Sequence, residues 1–184
     1  MKTIIGIIGT IGSGKDTAAE YISKKLSIPT FQISQPLKDI AKERGIEPIR
    51  ENLIKLGSDL VKENGPGFLV KLLIDKVPDD LLIITGIRVV GVIEYLRENY
   101  NLVLLAIDAE PEVRFQRCLI RNKLGEAKIL EEFIENERKE NAAPNEQRLF
   151  ECLKLADYTI ENNGDIETFF KKVDAFLESN NLKR

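Results

Sequence analysis

The sequence predicts an α/β protein built on a parallel sheet. Three observations carry that prediction. Apolar runs of strand length alternate with segments of helical period along the chain. The first run, Thr3–Ile8, is rich in β-branched residues and apolar on both faces, as a central parallel strand must be. A glycine-rich turn then joins that run directly to an amphipathic segment. At 184 residues the chain has the length of one domain with a sizeable core, so a single domain over residues 1–184 is expected.

The elements follow in order. Residues Asp16 to Leu26 place Ala18, Ile22 and Leu26 at i, i+4 and i+8, a helical stripe. Ile28–Ile33 reads as a short second strand, weakened by Pro29. From Pro36 to Val77 the pattern is helical in three pieces, broken at Gly45–Pro48 and Gly65–Gly67. Ile49, Leu53, Leu56 and Leu60 stripe the second piece, and Leu69, Leu72, Leu73 and Val77 the third. Such an excursion exceeds an ordinary crossover and suggests a substrate-binding insertion. Leu81–Thr85 is a third strand, Val89–Asn99 a helix with Val92, Ile93 and Leu96 inward, and Leu102–Asp108 a fourth strand. A helix from Pro111 to about Lys123, a polar helical stretch Glu126–Glu140, a break at Asn141–Asn145 and a helix Glu146–Leu155 come next. Tyr158–Ile160 closes the strands. The last helix carries the stripe Ile166, Phe169, Phe170, Val173, Phe176 and Leu177, whose phenylalanines read as core.

Composition removes whole classes of chemistry. Histidine and tryptophan are absent and the cysteines number 2. No Ser-His-Asp or Cys-His nucleophile exists, and no histidine can act as base, metal ligand or pH switch. Cys118 and Cys152 cannot build a zinc site alone and give no disulfide framework. The net charge of -3 argues against a general nucleic-acid binder. The apolar N-terminal run is too short for a secretory core, and no run approaches the roughly 18 residues of a membrane helix. A cytoplasmic protein with no stable nucleic-acid partner and no membrane partner is expected; the sequence is silent on oligomeric state.

The sharpest signal is Gly9-Thr10-Ile11-Gly12-Ser13-Gly14-Lys15-Asp16-Thr17, set between a buried strand and a helix, the context of a Walker A phosphate loop. Glycines let the backbone curl so that successive N–H groups face a phosphate, and the helix N-terminus adds partial positive charge there. Lys15 reaches the β- and γ-phosphates as a mobile cation. The residue after the lysine is usually Ser or Thr, whose hydroxyl ligates Mg²⁺. Here it is Asp16, with Thr17 next, so either Asp16 holds the water shell of the metal or Thr17 takes over. A switch GTPase would need Asn-Lys-x-Asp, which is absent, and a motor would end a strand in a carboxylate. The third strand instead runs Thr85-Gly86-Ile87-Arg88. An arginine just past a strand end points into the crevice where α/β ligands bind, and its planar fork suits a phosphate. A surface salt bridge is the plainer reading of the same residue.

These residues resemble a family. The Gly-Ser-Gly-Lys-Asp-Thr loop is similar to that of deoxynucleoside monophosphate kinases, within the wider nucleoside monophosphate kinase group. Ser34-Gln35-Pro36-Leu37-Lys38 resembles their Ala-Asp-Pro-Leu-Lys, and Arg50-Glu51-Asn52-Leu53 leading to Leu56-Gly57 resembles a helix of theirs. Thr85-Gly86-Ile87-Arg88, followed by Glu94, resembles their Ser-Asp-Val-Arg and its later glutamate. Asp108-Ala109-Glu110-Pro111-Glu112-Val113-Arg114 with Arg117 and Arg121 looks like the strand and helix entering their lid. Ala156 to Gly164 resembles the adenine-side loop of nucleotide and dephospho-coenzyme A kinases. Gln35 and Gly86 stand where the deoxynucleotide kinases carry aspartates.

The resemblance implies a three-layer P-loop NTPase fold with a five-stranded parallel sheet in the order 2-3-1-4-5. It also implies a helical NMP-binding insertion over about residues 34–78 and a lid over about 114–148. It implies transfer of the ATP γ-phosphate to a nucleoside or deoxynucleoside monophosphate, a small phosphorylated acceptor, with ATP and Mg²⁺ as cofactors. Lys15 and the backbone of Gly9, Ile11, Gly12, Ser13, Gly14, Asp16 and Thr17 would hold ATP, with Asn163 on the adenine side and Mg²⁺ at Asp16 or Thr17. Lys38, Arg50 and Arg88 would grip the acceptor, and Arg117 and Arg121 would act with Lys15 and Arg88 in catalysis. Arg114, Arg117 and Arg121, at i, i+3 and i+7, share one helix face. Glu131–Glu140 reads as a solvated surface rather than a metal site. A phosphate acceptor is already ionised near pH 7 and needs no base, which suits a chain without histidine. The alternatives are a dephospho-coenzyme A kinase-like enzyme and a nucleotide-dependent regulatory ATPase or binding module.

Overall fold

Isoleucines fill the first strand, and every residue from Ile4 to Gly9 is buried, so this strand must lie mid-sheet with both faces covered. In the computed structural model, which describes residues 1–121, 127–142 and 148–183, it does. The strands are β1 (Thr3–Gly9), β2 (Thr30–Gln32), β3 (Leu81–Thr85), β4 (Asn101–Asp108) and β5 (Tyr158–Glu161). They form one parallel sheet in the order β2-β3-β1-β4-β5. The described helices are α1 (Lys15–Leu26), α2 (Ser34–Glu43), α3 (Arg50–Asn64), α4 (Phe68–Ile74), α5 (Val90–Asn99), α6 (Pro111–Ile120), α7 (Leu130–Ala142), α8 (Leu149–Lys154) and α9 (Ile166–Ser179).

Two cores follow from the alternation of strand side chains. Ile5, Ile7, Ile83, Leu105 and Ile107 meet Ala18, Ile22, Phe169 and Val173, which places α1 and α9 on one face. Ile4, Ile8, Leu82, Ile84 and Leu104 meet Val70, Ile74, Ile93 and Cys152, which places α4, α5 and α8 on the other. Two satellites sit apart from these layers. One joins α2 and α3 to the start of α4 through Ala41, Leu56, Leu60 and Leu69, and the other joins α6 to α7 through Phe115, Cys118 and Phe133. Among the described residues no helix is long and apolar enough to cross a membrane.

Several boundaries differ from expectation. The second strand is only Thr30–Gln32, because Pro29 has no N–H to give the ladder and contributes its carbonyl alone, to Ile83 N at 2.9 Å. Ile49 and Ile166 fall at the starts of α3 and α9 and are 46% and 52% exposed, outside the stripes that sequence period assigns them to. Phe169 and Phe176 are core, whereas Phe170 is half-buried and stacks on Tyr21 at 4.0 Å. The helix begun at Pro111 is described to Ile120; Asn122 and Lys123 lie outside the described residues, as do Glu126, Pro144 and Glu146.

Candidate phosphate site at the carboxyl edge of the sheet

β1 ends at Gly9 and α1 begins at Lys15, and the turn between them is possible only with glycine at two points. Gly12 and Gly14 take φ of +79° and +103°, backbone that side chains rarely adopt. A Cβ on Gly12 would lie 2.6 Å from the carbonyl oxygen of Arg114, and one on Gly14 would strike the Asn162 amide. The loop is therefore pressed between α6 on one side and the end of β5 on the other.

Side chains from those two elements hold the loop. Asn162, buried, donates from Nδ2 to the Ser13 carbonyl at 2.8 Å, while its own N–H donates to the Asp108 carbonyl at 2.8 Å. Arg117 reaches Gly12 O at 3.5 Å and Asn162 Oδ1 at 3.4 Å, long contacts to neutral acceptors. No described carboxylate pairs with it, and burial, then the charge of Arg121, pushes its guanidinium below the usual range. Arg114 is buried at 4% exposure and donates to Ala109 O and Ile11 O at 2.9 and 3.3 Å. Its fork closes on Glu137 of α7 at 2.7 and 2.9 Å.

The residues singled out in the sequence divide accordingly. Gly9, Ile11, Gly12, Ser13, Gly14, Lys15, Asp16 and Thr17 are brought together by the β1–α1 turn, and Lys15 Nζ lies 3.2 Å from the Asp16 carboxylate. Arg117 joins them; Arg121, at the C-cap of α6, is exposed. Asn163 is exposed and accepts from the Glu110 N–H at 2.8 Å, whereas its neighbour Asn162 contacts the loop. Arg88 is half-buried beyond β3, and its carbonyl accepts from Arg148 N at 2.7 Å. Lys38 lies exposed on α2 and Glu94 exposed on α5. Arg50 opens α3, and its side chain lies outside what the structure describes. The shared helix face expected of Arg114, Arg117 and Arg121 is split, because Arg114 is consumed by Glu137. Glu137 in turn corrects the expectation that Glu131–Glu140 is a solvated surface: Glu131, Glu132 and Glu135 are exposed, but the Glu137 side chain is 12% exposed.

Sequence reasoning missed Asn162 and Glu137, and it grouped Arg114 with Arg117 and Arg121 without its partner. An adjacent Asn pair offers no rule for choosing the inward member, although β5 alternation, with Ile160 buried, marks Asn162 as sharing its face. The two departures from the kinase pattern have local causes. Gly86 sits at φ +81°, where an aspartate would be strained. Gln35 donates to Asp39 Oδ1 at 2.9 Å, so a carboxylate stands one helical turn further along α2.

The turn suits a phosphate chain with a magnesium ion. Thr10 Oγ1 and Ser13 Oγ are buried without a partner in the loop, donors left over by the fold itself. Asp16 and Thr17 offer an all-oxygen set on the first turn of α1, and such a set holds Mg²⁺ jointly with phosphates rather than alone.

Comparison with known proteins agrees with this architecture. The family described as "AAA domain" matches residues 5–143. A "UPF0200/UPF0201 protein" of Archaeoglobus fulgidus is 32% identical over 181 residues, covering 95% of this chain; the chain spans only 54% of that relative. A UPF0200 protein of Pyrococcus horikoshii is 30% identical over 179 residues, 93% of this chain and 94% of the relative. Among solved structures, shikimate kinase from Acinetobacter baumannii in complex with shikimate superposes with a TM-score of 0.59 at 18% identity, covering 100% of this chain and 97% of that one, which shows a shared fold. The five-stranded sheet in the order 2-3-1-4-5 thus belongs to a fold shared with that kinase, and the chain, matched by the AAA domain, belongs to the UPF0200 family.

Proposed function

We propose that this chain is an ATP-dependent phosphotransferase that moves the γ-phosphate to an acceptor already carrying a phosphate, a nucleoside or deoxynucleoside monophosphate. The observation that carries the reading is the pairing of a glycine cradle and Lys15 with arginines left uncompensated by any described carboxylate: Arg117 against the loop and Arg88 beyond β3. A partly buried guanidinium without a counter-charge, as at Arg117, costs desolvation and repulsion from Arg121 unless an anion binds beside it.

In this reading the amides of Gly12 to Thr17 and Lys15 hold the donor phosphates. Arg88, with Lys38 and Arg50, orients the acceptor. An acceptor phosphate oxygen attacks the γ-phosphorus, the bond to the bridging oxygen breaks, and ADP leaves. The acceptor oxygen carries no proton to remove near pH 7, because a phosphate monoester has a second pKa of about 6. Charge that spreads over the transferring group meets Arg117 and Arg121 from α6. Mg²⁺, held by Asp16 or Thr17 together with the phosphates, would neutralise charge on the β- and γ-oxygens. A hydroxyl acceptor is the second reading, and Asp39, tethered by Gln35, is the observation that favours it as a base.

The test is ATP turnover against a panel of mono- and deoxymononucleotides, dephospho-coenzyme A and unphosphorylated alcohols. Turnover dependent on a mono- or deoxymononucleotide, with a nucleoside diphosphate as product, is expected, and turnover with dephospho-coenzyme A, which accepts on a hydroxyl, would favour the second reading. ATP consumption indifferent to every acceptor would instead indicate a regulatory ATPase, and a requirement for an unphosphorylated alcohol would favour the Asp39 reading.

A further inference from the structure

Three consecutive carbonyls of the loop are each held from outside by a side chain of another element. Arg114 takes Ile11 O at 3.3 Å, Arg117 takes Gly12 O at 3.5 Å and Asn162 takes Ser13 O at 2.8 Å. In a planar trans peptide the C=O and N–H point in opposite directions. A donor on each carbonyl therefore turns the next residue's N–H toward the other side, the side of the cradle. Ser13 N also reaches back to Thr10 O at 3.3 Å, which leaves Gly12 and Gly14 as the amides whose aim depends most on these holds.

The hold on Ile11 differs from its neighbours because it is anchored outside the site. Arg114 is fixed by Glu137 through both ends of its fork, by Ala109 O at its Nε, and by the Phe133 ring 5.5 Å away. Glu137 and Phe133 both belong to α7, and Glu137 comes 23 residues after Arg114. A buried ion pair is a poor device for stability alone, since an apolar pair of similar volume packs as well without the desolvation cost. An apolar pair cannot, however, donate to the Ile11 carbonyl.

We propose that Arg114, locked by Glu137, is a positioning residue: helix α7 sets the aim of the Gly12 amide, and hence the phosphate affinity of the loop, through an ion pair that touches no substrate. The inference rests on the loop being a phosphate site, and its decisive measurement is independent of that reading. The Gly12 and Gly14 amides of the ligand-free protein are followed by ¹⁵N relaxation in wild type, in the double variant Arg114→Met/Glu137→Leu and in Arg114→Lys. The Gly12 order parameter is expected to fall from the rigid range of about 0.85 to below about 0.6 in both variants, while Gly14, held by Asn162, stays rigid. ATP affinity is expected to drop about tenfold in the double variant, with a melting temperature close to wild type.

An unchanged Gly12 order parameter in either folded variant overturns the proposal. So does a double variant that melts early yet binds ATP as wild type does, because that is the behaviour of a structural pair. Arg114→Lys, which keeps charge and stem but loses the fork, supplies the Gly12 readout if the double variant does not fold. Should wild type bind no ATP at all, the phosphate reading fails, and the Gly12 amide still decides whether α7 positions the loop.

Discussion

On the phosphate-loop side of the sheet, three successive carbonyls are held by Arg114, Arg117 and Asn162, and the glycines have no room for a Cβ. On the side of α2 and α3, Lys38 and Arg88 form no ion pair with a described residue, and the helices pack through a satellite of few fully buried side chains, Ala41, Leu56, Leu60 and Leu69. One side is held by side chains of other elements; the other offers cations with no described carboxylate partner. The difference teaches that this chain spends its buried polar contacts on a group common to all nucleotides, the phosphate chain. The side of α2 and α3 has few such contacts among the described residues, and local opening is easiest where they are few.

The comparison breaks most sharply at Lys15. Lys15→Ala should lower turnover by about 10³-fold or more, since a preorganised cation on the transferring phosphate stabilises the charge that develops there. Circular dichroism and melting should stay near wild type, because Lys15 opens α1 half-buried and its one described ion pair is with its own neighbour Asp16 rather than with another element. Turnover equal to wild type would remove the loop from the chemistry. Next comes Arg88→Ala, where kcat/KM for the acceptor should fall about a hundredfold with ATP affinity unchanged. A variant that weakens ATP instead would move Arg88 to the phosphate-loop side.

How far the sequence anticipates this contrast follows from how local each feature is. The phosphate loop is legible because glycines, lysine, strand and helix all fall within one short stretch. The strand order comes from resemblance, and the individual strands from apolar runs that survive burial on both faces. Asn162, next to the Asn163 expected on the adenine side, is the member of the pair that holds the loop, since the two neighbours point to opposite sides of the strand end. The role of Arg114 is hidden for a different reason. Periodicity puts it beside Arg117 and Arg121, but what decides its function is Glu137, a contact between helices that no helical spacing encodes. Lys38 and Arg88 stay without an assigned ligand, because neither forms an ion pair with a described carboxylate that would show what they hold.

Asn162→Ala tests the phosphate-loop side by subtraction. It removes the donor to Ser13 O and the acceptor for Arg117 at once, and a buried hydrogen bond of this kind is worth about 1–2 kcal/mol. A fall of a few degrees in melting temperature with weaker ATP binding is expected. Melting and binding both equal to wild type would mean that the loop holds its shape unaided.

The smallest effect concerns where the loose side ends. α8 carries Cys152, which is 0% exposed and packs with Ile8 and Leu104 under the sheet. Burial, then the charge of Glu151, pushes its thiol up to about 11. Because the folded value is raised, the unfolded chain gives up this proton first. The contribution to stability is whole below the ordinary thiol value of about 9 and is lost as pH climbs toward 11. Between pH 8 and pH 10 wild type should lose about 1 kcal/mol more in urea unfolding than Cys152→Ala, in which the group is missing. Parallel losses in the two proteins would mean that the thiol meets water in the folded state. α8 would then belong with the loosely packed α2 and α3, and the tie from Arg148 N to the Arg88 carbonyl would hang from a mobile support rather than from the core.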